Sequence, residues 1–149
     1  MPDVDTRASE RRGILFLCVA NSARSQIAEG IANRLAPPDV EIYSAGSSPS
    51  RISSYAIRVL AEIGIDASHQ YSKPIEAVPL ERVGTVITLC AEEVCPTVPV
   101  RVERLHWPLA DPSAAGVLEG DVLAGYRRVR DELWSRLSAY FKAQAGAAD

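Results

Sequence analysis

The stretch Ile14-Leu15-Phe16-Leu17-Cys18-Val19-Ala20-Asn21-Ser22-Ala23-Arg24-Ser25 decides how this chain folds. Its first four residues are an apolar run without polar alternation, the pattern of a parallel strand buried on both faces. Small and polar residues follow. Beyond them Ile27, Ala28, Ile31 and Leu35 fall on one helical face, and Pro37-Pro38 stops that helix. Strand, short loop and helix in this order form a β–α unit, with a cysteine closing the strand and an arginine opening the helix.

Working outward, the same alternation recurs. Val40 to Tyr43 reads as a strand ended by Ser44-Ala45-Gly46. Ser53 or Ser54 can cap a helix carrying Ala56, Ile57, Leu60 and Ile63, with Gly64 at its C-terminal end. Val83 to Leu89 is a third strand, ending at Cys90, and Val102 to Trp107 a weaker fourth. Val122, Tyr126, Val129, Leu133, Leu137 and Phe141 mark a long amphipathic helix. Strands alternating with helices predict an α/β fold with a parallel sheet covered on both faces. Function in such sheets gathers at the carboxyl ends of the strands. Cys18 follows the first strand, Cys90 the third, and the last strand runs into His106-Trp107-Pro108-Leu109-Ala110-Asp111-Pro112. A parallel sheet brings all three ends to one edge.

The chain has 149 residues, 47% hydrophobic and 23% charged, ordinary values for one globular domain with a real core. No repeat or linker divides it. The domain is expected over residues 13–142, with 1–12 and 143–149 as flexible tails. A net charge of -3 argues against general nucleic-acid binding. No apolar run approaches a membrane span, and the N-terminal stretch lacks the apolar core of a signal peptide. A cytoplasmic protein, monomeric by default, is expected. Three cysteines without an export signal do not form a purely structural disulfide framework. His69 and His106 make no convincing metal site, and His106-Trp107 reads as a packing pair. Arg127, Arg128 and Arg130, mixed with Asp131 and Glu132, read as the solvated face of the last helix.

The first loop has chemistry of its own. A helix N-terminus presents unpaired N–H groups and the positive end of the helix dipole. A tight loop leading into it adds further donors. The N–H groups of Val19, Ala20, Asn21, Ser22, Ala23, Arg24 and Ser25 are thus expected to bind a tetrahedral oxyanion such as phosphate, arsenate or sulfate. Arg24 can give it two parallel hydrogen bonds. The same donors favour a thiolate at Cys18. Ser25 can donate to that thiolate, and Asn21 suits a left-handed position that shapes the loop.

This loop resembles the active-site loop of low-molecular-weight protein tyrosine phosphatases and of the arsenate reductases built on that fold. Asp111-Pro112 matches the family's general-acid segment, and the resemblance spans Gly13 to Phe141. It implies a three-layer domain in which a four-stranded parallel sheet of order 2-1-3-4 is flanked by helices. Two departures lie near the loop: Ala20 stands where many relatives have glycine, and Gln26 where phosphatases usually have proline. Phosphatases of the family also tend to follow Asp-Pro with an aromatic residue that walls the phosphotyrosine slot. Here Ser113-Ala114 follow.

The stretch Leu89-Cys90-Ala91-Glu92-Glu93-Val94-Cys95-Pro96 is similar to the redox segment of the thioredoxin-coupled arsenate reductases. The resemblance implies that Cys18 attacks arsenate while Asp111 helps water leave, that Cys90 then attacks Cys18, and that Cys95 converts the first disulfide into Cys90–Cys95. No tightly bound cofactor is expected. Electrons would come from thioredoxin, from glutaredoxin with glutathione, or from another low-molecular-weight thiol. The spacer is shorter than in relatives. One helical turn over Ala91 to Val94 would set the two cysteines about 7.5 Å apart along its axis. A disulfide needs Cα atoms roughly 4.4–6.8 Å apart, so the turn must distort. Some of these reductases hold potassium beside the loop. Asn21, Glu29 and Ser44 stand at equivalent positions, whereas Tyr71 and Lys73 replace the remaining ligands. Lys73 is therefore expected to place its ammonium where the cation would sit, pairing with Glu29 and supporting Asn21. Two alternatives stay open: a phosphatase for phosphotyrosine or aryl phosphates acting through a Cys18 phosphocysteine, and an oxyanion-binding or redox-sensing module without turnover.

Overall fold

All six residues of the first strand, β1 (Gly13–Cys18), are buried, as an apolar run without alternation requires. The computed structural model describes residues 11–91, 96–98, 101–112 and 118–147. Within them β1 is joined by β2 (Glu41–Gly46), β3 (Val83–Thr88) and β4 (Glu103–His106). The sheet order is β2-β1-β3-β4 and every pairing is parallel. Register sets Cys18 beside Gly46, Leu17 beside Thr88, and Thr88 beside His106. The carboxyl ends of all four strands therefore meet at one edge, as the sequence leads one to expect.

Side chains of a strand alternate between faces, and β1 feeds two separate cores. Ile14 and Phe16 enter a large cluster with Ile27 and Ile31 of α1 (Arg24–Leu35), Val59 and Leu60 of α2 (Ser54–Ala61), and Leu133 and Leu137 of α3 (Glu119–Ala147). Leu15 and Leu17 enter the opposite core with Ala45, Val78, Val83, Val86 and Val98. The sheet is thus flanked on one face by three α-helices and on the other by two single-turn 3₁₀ helices, Ile75–Ala77 and Leu80–Arg82.

Element ends differ from the sequence reading in several places. Ser44 to Gly46 belong to β2, because pairing with β1 continues to Cys18 and outweighs the small-residue stop signal. β3 ends at Thr88 and β4 covers only Glu103–His106, an exposed edge strand. Helix α3 runs on to Ala147, so the stretch from 143 read as a tail is helical through 147. Alanine and glutamine there are good helix formers and carry the helix past Gly146. At the other end Arg12 pairs with Asp39 at 3.3 Å, and Arg11 lies against Gly84. Residues 1–10 and 148–149 lie outside the described residues.

Helix α2 begins as its capping residue dictates: Ser53 Oγ accepts from the N–H groups of Tyr55 (3.1 Å) and Ala56 (3.4 Å). The arginines of α3 are not simply a solvated face. Arg127 and Arg130 both pair with Glu62, at 2.6 and 2.7 Å, and Arg130 also donates to the Val59 carbonyl at 3.0 Å. These bonds tie α3 to the end of α2 and hold the Glu62 carboxyl well below its usual range, at about 2. The Arg127 hydrogen bond is the largest cause. Trp107 packs edge-on against Tyr140, and Thr88 Oγ1 meets His106 Nδ1 at 2.7 Å, so this pair does fasten the sheet edge. No helix among the described residues is long and apolar enough to cross a membrane.

Candidate active site

Cys18 ends β1, is buried, and is a free thiol. After it the backbone turns sharply through Asn21, the described non-glycine residue with positive φ (49°). Asparagine tolerates that left-handed conformation better than most residues. The carbonyls of the loop all find donors outside it. Val19 O accepts from Ser48 N (2.9 Å), Ala20 O from Ser50 N (3.2 Å) and Ser72 Oγ (2.9 Å), and Ser22 O from Ser53 N (2.9 Å). Asn21 O accepts from Gln26 Nε2 at 3.0 Å, and Ala23 O from Ile27 N at 2.9 Å. In a planar trans peptide the N–H points opposite to the carbonyl. With these five carbonyls bonded away from the loop, the N–H groups of residues 20–24 point away from those partners. Helix α1 starts at Arg24 behind Ala23, which has no capping side chain. No side chain of the preceding residue therefore caps its first turn.

The side chains form one continuous polar chain behind the thiol. Ser25 Oγ lies 2.9 Å from Cys18 Sγ. Asn21 Nδ2 donates to Ser25 Oγ (2.7 Å) and to Ser44 Oγ (3.0 Å). With Asn21 donating to it, the Ser25 hydroxyl has its own proton to direct at the sulfur. Ser44 Oγ donates to Glu29 Oε1 at 2.5 Å. Lys73 closes the chain, with Nζ 3.6 Å from Glu29 Oε1 and 3.2 Å from the Ser44 carbonyl. Its backbone N–H donates to Asn21 Oδ1 at 2.9 Å. Lys73 Nζ also lies 4.7 Å from the centre of the Tyr71 ring.

Two residues of this network went unassigned in the sequence. Gln26, noted only for not being proline, is wholly buried, and its Nε2 donates to Asn21 O, Asn21 Oδ1 and Tyr71 O at 2.9–3.0 Å. Gln70 Nε2 donates in turn to Gln26 Oε1 at 2.9 Å. A glutamine between Ser25 and Ile27, at the buried start of a helix, is the signal that would have exposed the first. Gln70, 44 residues away, has no local signal.

Arg24 is buried, and its Nη1 donates to the Leu109 carbonyl at 3.0 Å. The same segment is anchored to β3, with Trp107 N on Thr88 O at 2.8 Å and Leu109 N on Leu89 O at 3.1 Å. Asp111 is thereby delivered to the loop. Cys18, Ala20, Ser22, Ala23, Arg24, Ser50 and Asp111 line one cavity of about 130 Å³. Leu89 N bonds Leu17 O at 2.9 Å, which carries the β1–β3 pairing on to the level of Cys18, and Cys90 follows at the same edge. Cys90 is buried and is held in a disulfide. Cys95, Glu92, Glu93 and Val94 lie outside the described residues, as do Ser113 and Ala114. Among the described residues no cluster of histidine, cysteine, aspartate and glutamate can hold a metal ion.

The likeness to known proteins follows this geometry. Residues 13–146 match the family model described as low molecular weight phosphotyrosine protein phosphatase. The arsenate reductase of Halalkalibacterium halodurans is 39% identical over 132 residues, 87% of this chain and 95% of that protein. A solved arsenate reductase in its phosphate-binding state superposes with a TM-score of 0.75 at 32% identity, covering 89% of this chain and 98% of that one. The thioredoxin-dependent arsenate reductase of Corynebacterium glutamicum gives 0.61 at 30% identity, over 89% of this chain and 65% of that one. With a thiol at the end of β1, an arginine opening α1 and an aspartate over the same cavity, this chain belongs to the low molecular weight phosphotyrosine protein phosphatase family.

Proposed function

We propose that this chain reduces arsenate to arsenite with electrons from its own cysteines, which a thioredoxin-type dithiol then restores. The observation that carries the reading is the placement of two cysteines at adjacent strand ends, Cys18 as a free thiol and Cys90 in a disulfide. A phosphatase has no use for the second sulfur. A reductase needs it, and needs it next to the first. The relatives named arsenate reductase support the same assignment.

Arsenate is held by the N–H groups of the loop and Arg24. The Cys18 thiolate attacks arsenic, and a hydroxyl leaves as water after taking a proton from Asp111. The Cys90 thiolate then attacks Cys18 Sγ. The new S–S bond forms as the S–As bond breaks, and that electron pair stays on arsenic, giving arsenite. Two thiols are oxidised and arsenic gains two electrons. Cys95 attacks Cys90, Cys18 leaves as thiolate, and the Cys90–Cys95 disulfide passes to the external dithiol. Cys90 is 1% exposed, so a carrier of this kind is what brings the oxidation to a partner. The site fits a cytosolic setting, where reduced thiols are maintained.

The test is arsenate reduction with thioredoxin, thioredoxin reductase and NADPH, comparing wild type with Cys95→Ser. The wild type turns over. The variant stalls after one arsenite, with a Cys18–Cys90 disulfide detectable by peptide mass analysis. Unchanged turnover in the variant would show that another thiol resolves Cys90. Hydrolysis of an aryl phosphate without arsenate reduction would favour the phosphatase reading, and inactivity with intact thiols in both assays an oxyanion-binding module.

Lys73 takes the place of a resident cation in this reading. Its ammonium occupies the position between Glu29 and Ser44, so these residues do not fit an added metal ion. The fixed charge steadies Glu29, and through Ser44 it steadies Asn21 and the loop. Potassium and sodium chloride at equal ionic strength are therefore expected to give equal rates. A strong rise with potassium alone would overturn the assignment.

A further inference from the structure

Ser53 and Tyr126 form a pair whose hydrogen bonds can be counted proton by proton. Ser53 Oγ already accepts two backbone N–H groups, from Tyr55 and Ala56. Its single proton goes to Tyr126 Oη, 2.9 Å away. The phenol oxygen is therefore an acceptor in that bond, and its own proton is left for a second partner. Tyr126 is 2% exposed, and its ring lies 5.4 Å from that of Tyr55, so water is a poor candidate for that partner.

Asp111 is the charged group at hand. It lines the cavity at Cys18, and it lines a second cavity of about 280 Å³ together with Gly125 and Val129, which flank Tyr126 on α3. Burial raises the Tyr126 phenol above its ordinary range, the Ser53 bond opposes the rise, and the charges of Asp111 and Tyr55 add to it. The phenol consequently stays protonated, as a donor must.

We propose that the Tyr126 hydroxyl is a positioning residue, donating to the Asp111 carboxyl and holding it over Cys18. Asp111 is solvent-exposed, so a bond from a buried donor narrows the rotamers open to it. Tyr126 is an anchor built into a buried helix face. Ser53 links that anchor to the loop, because its N–H bonds the Ser22 carbonyl at 2.9 Å. The loop, the α2 cap, the α3 phenol and the acid thus form one connected set. Among the described residues, Arg24 beside Cys18, and Arg128 and Glu132 in the second cavity, are the other charged groups lining the two cavities with Asp111.

The inference rests on the role given to Asp111 above, and the test separates the two. Fully reduced wild type, Tyr126→Phe, Asp111→Asn and the double variant are each mixed with excess arsenate, and arsenite is followed through a single turnover. Phenylalanine keeps the ring packing, and thermal melts check that it does. Losing one hydrogen bond to a charged group predicts a rate about tenfold lower for Tyr126→Phe, with the half-saturating arsenate concentration unchanged. In the Asp111→Asn background the same change has no further effect, because Tyr126 acts through Asp111. Tyr126→Phe reacting as fast as wild type, or losing the same factor in both backgrounds, overturns the positioning role alone. Asp111→Asn reacting at the wild-type rate overturns the acid assignment, and the positioning role with it.

Discussion

Replacing Cys90 by serine is expected to lower arsenate turnover roughly a thousandfold or more, because the nucleophile that expels arsenite is gone. Serine is nearly isosteric and Cys90 is buried, so the variant is compared with the reduced wild type, in which no disulfide is lost. The loop keeps its outward carbonyls and its Arg24, so oxyanions still bind. Phosphate should protect Cys18 from alkylation in the variant as it does in the wild type. The step that fails is the one that moves electrons. Without a neighbouring thiolate the S–As bond breaks only by hydrolysis, which returns arsenate. Chemical detection of arsenite with excess thioredoxin reads this directly. Sustained arsenite production by Cys90→Ser would mean that an external thiol attacks Cys18 itself. Persistence of any aryl phosphate hydrolysis would show that oxyanion chemistry needs only the loop and the acid.

A second large effect is expected at a residue that never touches substrate. Gly46 ends β2 directly beside Cys18, and its N–H bonds the Lys73 carbonyl at 3.1 Å. A Cβ added there would meet the Val19 carbonyl oxygen at 2.4 Å and the Asn21 nitrogen at 2.9 Å. Both are backbone atoms of the loop, so no flexible side chain can step aside. Gly46→Ala must push the loop away from the strand edge. Overpacking of this kind costs about 3 kcal/mol, or about 10 °C in melting temperature for a domain of this size. Displacing the donors by about 1 Å would cost roughly a hundredfold in turnover, beyond the loss of stability. A thermal melt and an arsenate assay at 25 °C separate the two effects. A variant that melts with the wild type and keeps its turnover would show that the loop has room at this position.

Much of the site is visible in the sequence because its parts are local. The unbroken apolar run Ile14 to Leu17, the polar loop and the helix pattern from Ile27 define the β–α unit without outside help. Parallel pairing then carries Cys90 and the Asp111 segment to the same edge, since strands of one direction end on one side. Boundaries were less legible. Ser44 to Gly46 look like a stop, yet pairing with β1 keeps them in the strand. Arg130 looks solvated among its charged neighbours, yet the end of α2 buries it against Glu62.

The supports of the site carry no local signature. Gln70 meets Gln26 across 44 residues, Lys73 meets Ser44 across 29, and Tyr126 meets Ser53 across 73. A polar side chain declares itself in sequence only when its partner lies within a turn or two, as Ser53 does at its cap. Distant partners are selected by packing, which buries polar atoms and so obliges them to pair; no buried side-chain nitrogen or oxygen among the described residues lacks a partner. The sequence alone therefore determined the thiol, its loop, the parallel sheet and the edge where the chemistry gathers. Tertiary structure decided what holds the loop in shape and what stands over it, because those contacts exist only once the sheet and its helices have closed.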